Sequence, residues 1–270
     1  MRVLAGIALL ALFGSALTAQ QPQTAAPDRR DGGVSTVTMR DGGVDQVLQS
    51  IYIPPLQNAP FTAIVHTQWI RPLPEGGTYT LVNQRRIARD MLGRIYEERW
   101  LLVPKNGPYK SQMNVIQVAD PVAHTLYNCF TLREPHRCTL ETFRDTVNAV
   151  YKPAIGASGP LPNNAGYRTH EDLGAQALAG VETVGTRDSV TYNEGVYGND
   201  RPFTVKREFW YAPSLGINLH SEISDPNFGK QVFTLSDVSL SEPDPILFAP
   251  PEGFDVLDRR KAASPQPQPE

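Results

Sequence analysis

Seven side chains in this sequence combine the types needed to hold a greasy molecule with a charged end. Trp69, Trp100, Trp210, Tyr96 and Phe209 supply aromatic surface, and Arg89 and Arg94 supply cations. Aromatic rings bury large apolar areas while keeping a polar tip, and a guanidinium grips an acid with two parallel hydrogen bonds. The chemistry such a set performs is noncatalytic. Shielding about 200 Å² of ligand from water contributes about 5 kcal/mol, and basic residues orient the polar head. Each aromatic could equally fill a core, and each arginine could pair with a carboxylate across a strand. The sequence leaves both readings open.

Other reactive residues do not assemble into a recognisable site. The five histidines are His66, His124, His136, His170 and His220, and none forms an i, i+4 pair with an adjacent glutamate. In His170-Glu171-Asp172 a strand would send neighbouring side chains to opposite faces. Ser158 lacks the glycine-flanked spacing of a nucleophile elbow. No catalytic residue, metal ligand or cofactor is therefore assigned, and a secreted hydrolase ranks behind a binding protein and a structural or protein-interaction module.

Cys129 and Cys138 bracket Leu132-Arg133-Glu134-Pro135. A four-residue loop closed by Thr131 and His136 spares Pro135 a hydrogen bond it cannot donate, and that register sets the two cysteines opposite one another. In an oxidising compartment they form a disulfide.

The elements that must position these residues belong to a chain of 270 residues with 40% apolar content and a formal charge of −3. That is enough to bury a sizeable core, and the near-neutral balance argues against a nucleic-acid partner. Residues 1–19 read as a signal peptide: Arg2, an apolar run from Val3 to Leu17, then small residues up to Ala19. No membrane span is expected in the mature chain, which places it in the periplasm or outside the cell. Residues 20–46 read as an N-terminal spacer with a tandem Arg-Asp-Gly-Gly-Val at 30–34 and 40–44, able to turn a hairpin or to stay extended. Residues 47–260 read as one β domain, and 261–270 as a disordered Pro/Gln tail.

Within the domain, runs rich in Thr, Val, Ile and aromatics alternate with Pro, Gly, Asn and Asp turns about every ten residues. Phe61 to Ile70 and Thr78 to Ile87 form a hairpin across Pro72, Pro74, Gly76 and Gly77. Short strands with tight turns connect antiparallel neighbours. The expected fold is mainly β: a single curved antiparallel sheet or open half-barrel with one or two short helices. The segment 87–100 is ambiguous, because its apolar spacing suits a helix face while Asp90 to Gly93 suits a turn. The Pro, Gly and Asn-rich segment 152–169 is the expected exposed loop.

Ile87-Ala88-Arg89-Asp90-Met91-Leu92-Gly93-Arg94 resembles the Arg-Asp-x-x-Gly-Arg hairpin of uncharacterised secreted proteins common in acidobacteria. Gly198-Asn199-Asp200-Arg201-Pro202, Trp210-Tyr211-Ala212-Pro213-Ser214-Leu215-Gly216 and Asp225-Pro226-Asn227-Phe228-Gly229 extend the resemblance over about residues 55–258. It implies a hairpin, not a helix, at 87–100. The pattern is also loosely similar to envelope lipoprotein-carrier proteins, which implies a curved sheet cradling a lipid or other apolar small molecule. An envelope protein is the alternative partner.

Overall fold

The computed structural model describes residues 35–38, 44–47, 51–144 and 157–260. The expected signal peptide and the Pro/Gln tail lie outside these residues, as does the part of the expected exposed loop before residue 157. The chain divides into two units, Met1–Val47 and Leu48–Glu270. In the first, β1 (Ser35–Thr38) pairs antiparallel with β2 (Val44–Val47).

The second unit is built on one 14-stranded sheet. Its strands are β3 (Phe61–Pro72), β4 (Thr78–Arg89), β5 (Ile95–Trp100), β6 (Val103–Pro104), β7 (Met113–Asp120), β8 (Thr125–Phe130) and β9 (Arg137–Thr142). They continue with β10 (Gly159–Pro160), β11 (Gly166–Leu178), β12 (Val181–Tyr192), β13 (Phe203–Ala212), β14 (Ile217–Asp225), β15 (Gly229–Ser239) and β16 (Asp255–Asp258). The spatial order is β10-β11-β12-β13-β14-β15-β3-β4-β5-β7-β8-β9-β16, with β6 attached to β4. The ends do not meet, so the sheet is open, as the sequence predicts. The helical content of the described residues is two short 3-10 turns, Pro162–Asn164 and Pro245–Phe248.

Alternation explains why β3 forms and which way it faces. Phe61, Ala63, Val65, Thr67 and Trp69 are buried, while the intervening residues from Thr62 to Ile70 are half-buried. The register Val65↔Arg85, Thr67↔Asn83 and Trp69↔Leu81 carries that face into β4. Two cores result. Phe61, Val65 and Ile87 join Ile217, Leu219, Phe233 and Leu235 on one face. Ala88 joins Tyr96, Ile116, Val118, Cys129, Cys138 and Phe248 on the other.

The ambiguous segment is a hairpin. Asp90 N–H donates to the Arg94 carbonyl at 3.1 Å, and Gly93 N–H donates to the Asp90 carbonyl at 3.0 Å. Gly93 has φ +82°, and a Cβ there would lie 3.0 Å from the Pro55 carbonyl oxygen, so glycine answers both the turn and the close approach.

One outer edge is short and charged, and the other, the 13-residue β11, is covered only at its start and irregular beyond it. β10 pairs with only two residues of β11. Farther along β11, His170 N–H donates to Ser158 Oγ at 2.8 Å and Gly174 N–H to Asp172 Oδ1 at 2.8 Å, beside a bulge. At the other edge the exposed, four-residue β16 carries Asp255 and Asp258 and runs parallel to β9. Charge, brevity and bulges all discourage another strand from adding.

Candidate ligand groove

The ladder is interrupted along the outer side of β4. β4 pairs with β5 through Ile87, Ala88 and Arg89, and with β6 through Leu81 and Val82. Asn83 to Arg86 have no ladder partner on that side. β5 departs from β4 after Glu97, and the chain returns only at Val103.

Polar side chains span this parting. Asn83 Nδ2 donates to the Trp100 carbonyl at 2.7 Å. Glu98 accepts from the Arg86 amide at 3.1 Å, Trp100 Nε1 at 2.8 Å and Tyr96 OH at 2.9 Å. One carboxylate thereby satisfies a backbone donor that would otherwise have paired with a strand. Burial, followed by the neighbouring Glu98, pushes the Tyr96 phenol well above its ordinary range.

Over the parting lies a groove of about 700 Å³. Ile64, Val82, Trp100 and Val103 give it apolar walls, and His66, Arg86 and Lys105 give it a basic side. Ile64↔Arg86, His66↔Gln84 and Gln68↔Val82 are direct cross-strand pairs, which puts these side chains on one face. Arg85 also borders the groove. His66 Nε2 lies 2.7 Å from Ser236 Oγ, which donates to Asp237 Oδ2 at 3.0 Å. In a hydrolytic triad the acid would hold the imidazole's other nitrogen; here it holds the serine, so the trio ties β15 to β3 and braces the wall.

Of the seven residues singled out by sequence, Trp100 alone lines this groove among the described residues. Trp69 is on the opposite face, its Nε1 donating to the Phe228 carbonyl at 2.9 Å and its ring covered by Arg71 at 4.7 Å. Trp210 donates to Glu208 Oε1 at 2.9 Å and lies against Gly185, where a Cβ would sit 2.6 Å from the ring. Phe209 pairs with Thr186 and Ser221 on the neighbouring strands. Tyr96 is core.

The two arginines flanking the turn have work elsewhere. Arg94 Nε donates to Asp90 Oδ2 at 2.6 Å, and its guanidinium stacks 5.0 Å from the centre of the Phe248 ring. Arg89 is 0% exposed and donates to the carbonyls of Ala59 at 2.9 Å, Pro54 at 2.8 Å and Leu215 at 2.7 Å. Burial lowers its pKa to about 10, so it remains a cation at neutral pH. The disulfide is present as expected: Cys129 and Cys138 are bonded, directly paired across β8 and β9, and buried.

Sequence reasoning passed over Ile64, His66, Val82, Arg86 and Lys105. Alternation could have set Ile64, His66 and Gln68 on one face, but the parting that makes the groove depends on where β5 leaves β4. A second polar region occupies the same sheet. Glu171, Arg187, Glu208 and Glu222 stand directly opposite one another across β11 to β14. Arg187 pairs with Glu171 at 3.1 Å and Glu208 at 2.8 Å, and Lys230 with Glu222 at 2.7 Å. No group of three metal-ligating side chains occurs among the described residues.

Comparison with known proteins adds little to this geometry. No protein-family model and no curated protein matches the chain, so the resemblance to secreted acidobacterial proteins gains no support there. Among solved structures, MucB of Pseudomonas aeruginosa in its complex with MucA is similar at 14% identity with a TM-score of 0.36, over 74% of this chain and 59% of that one. LprF of Mycobacterium bovis is similar at 14% identity with a TM-score of 0.28, over 70% of this chain and 90% of that one. The chain thus spans about three fifths of the MucB chain it matches. This is a distant structural likeness to proteins of that kind, too loose to carry an argument about function. No helix of the described residues is long and apolar enough to cross a membrane.

Proposed function

We propose that this protein is a noncatalytic, exported binding protein that holds a hydrophobic or amphipathic molecule in the groove at the β4–β5 parting. The observation that carries the reading is the groove itself: about 700 Å³, with Ile64, Val82, Val103 and Trp100 on its walls and His66, Arg86 and Lys105 on its basic side. Ligand sites are concave, mostly apolar and equipped with a few convergent polar groups, and this volume is within their usual range. An export signal at residues 1–19 and a disulfide suit the periplasm or the extracellular space.

Calorimetric titration with dodecanol tests the reading. The wild type binds one equivalent, and Val82→Lys, which puts a charge on the apolar wall, weakens binding at least about tenfold, or ~1.4 kcal/mol. Equal binding by the variant, or none by the wild type, refutes the groove as the site.

A further inference from the structure

Arg85 is the one residue bordering the groove whose charge is buried. It is 5% exposed, and its two terminal nitrogens, Nη1 and Nη2, have no hydrogen-bond partner. The carboxylate nearest to it, Glu97 Oε2, stands 3.8 Å from Nη1, beyond hydrogen-bond reach, and also serves Arg99 at 4.0 Å. Burial depresses the Arg85 pKa, Glu97 opposes that shift and Arg99 adds to it. A guanidinium carries five donors in a rigid fork, and a buried cation with idle donors costs several kcal/mol unless something compensates it.

Arg85 also sits where compensation can reach it. It is in the stretch Asn83 to Arg86 that lacks a ladder partner, so neither β5 nor β6 closes over the sheet beside it. Two more idle groups accompany it on the same face: Asn83 Oδ1 in the same strand and Gln231 Oε1 two strands away are buried without partners. Arg85 is on the Val65 face of β4, opposite Ile64 and Arg86, and meets the groove at the parting, whose border carries Arg86 and Lys105 beside the carboxylates of Glu98 and Asp237. Planar oxyanions match an arginine fork better than any neutral group does.

We propose that Arg85 is the anchor for an oxyanion, the carboxylate or phosphate head of an amphiphile whose chain occupies the groove. The proposal rests on the groove reading above and adds the sign and position of the head. A site of this kind trades stability for binding. The uncomplexed protein keeps an under-compensated buried charge, which the head neutralises on arrival. An isosteric apolar residue therefore removes a cost from the free protein and an attraction from the complex.

The experiment titrates dodecanoate, dodecyl phosphate and dodecanol into the wild type, Arg85→Met, Arg85→Lys and Arg86→Met, with thermal melts of each free protein. The expected result is that wild type prefers the two anions over dodecanol by at least about tenfold. Arg85→Met loses that preference while keeping a cooperative melt. Arg85→Lys keeps the charge without the fork and retains part of the preference. A stronger response to dodecanoate than to dodecyl phosphate identifies a carboxylate head, and the reverse a phosphate head. Anion preference that survives in Arg85→Met and vanishes in Arg86→Met overturns the proposal, as does Arg85→Met melting well below wild type with its anion preference intact. Dodecanol binding to the wild type with no preference for either anion overturns the anchor alone; absence of binding by all three overturns the groove reading as well.

Discussion

Arg85 and Arg89 share one face of β4, both removed from water, yet the middle of that strand and its end treat them differently. At the closed end, where β5 still pairs with β4, three backbone carbonyls take up the Arg89 guanidinium and the Phe61 ring lies 5.1 Å from it. In the middle, where the ladder parts, Arg85 has a carboxylate 3.8 Å away and idle donors. A buried charge stabilises a fold when its surroundings were built around it. Without such surroundings, it is a place prepared for something else.

Substitutions at the two positions separate these roles. Arg89→Met takes a donor from the carbonyls of Ala59, Pro54 and Leu215; Pro54's still accepts from Leu56 N–H, so those of Ala59 and Leu215 bear the loss, each worth about 1–3 kcal/mol, and a loss of at least ~2 kcal/mol is expected in urea unfolding. Arg85→Met removes the buried charge and also the cation 3.8 Å from Glu97, which keeps Arg99 at 4.0 Å, so its unfolding midpoint is expected to fall less than that of Arg89→Met. Similar losses at both positions would erase the contrast.

The disulfide extends the comparison to the closed side of the sheet. It joins residues nine apart in sequence, so replacing both Cys129 and Cys138 with Ala releases a loop-closure constraint worth about 2–3 kcal/mol. The loss is expected in unfolding while dodecanol affinity is unchanged, because neither cysteine lines the groove. Glu98, unlike the cysteines, bridges the parting and lines the groove. Glu98→Ala removes both acceptor oxygens, so the Arg86 amide, Trp100 Nε1 and Tyr96 OH lose their partner. The expected cost is about 1–2 kcal/mol, accompanied by faster hydrogen exchange at the Arg86 amide. Exchange unchanged at Arg86 would mean that Glu98 does not hold the parting.

The smallest effect is pH-dependent. Tyr96 keeps its phenolic proton in the folded chain above the ordinary pKa of 10.0, because burial and Glu98 raise it, whereas the unfolded chain releases it. The folded state then binds more protons than the unfolded one, so stability falls as pH rises above about 10. Tyr96→Phe is expected to flatten that slope between pH 10 and 11. A slope identical to that of the wild type would assign the alkaline loss to other groups.

How much of this was legible depended on the range of the interaction. The Cys129–Cys138 register followed from Pro135 and a short loop, and the β3–β4 hairpin from local turn residues, because both are decided within about a dozen positions. Arg89 was read as a ligand-gripping cation because its carbonyl partners come from Pro54, Ala59 and Leu215, the last 126 residues away. Trp69 and Trp100 were grouped as one aromatic lining, but the ladder sends them to opposite faces. The parting between β4 and β5 has no local signature. It arises because Glu98's side chain takes the Arg86 amide that a strand would have used. With no α-helix in the described residues, strands supply most of both cores, joined by Ile51, Ile53 and Leu215 from loops and Phe248 from a 3-10 turn.

Methyl chemical-shift mapping with dodecanol tests the central claim most directly, because the two faces of the sheet carry different reporters. Ile64, Val82 and Val103 are expected to shift together on titration while Val65, Ile87 and Ile217 in the opposite core stay still. Shifts confined to the second set, or spread evenly over both, would contradict it.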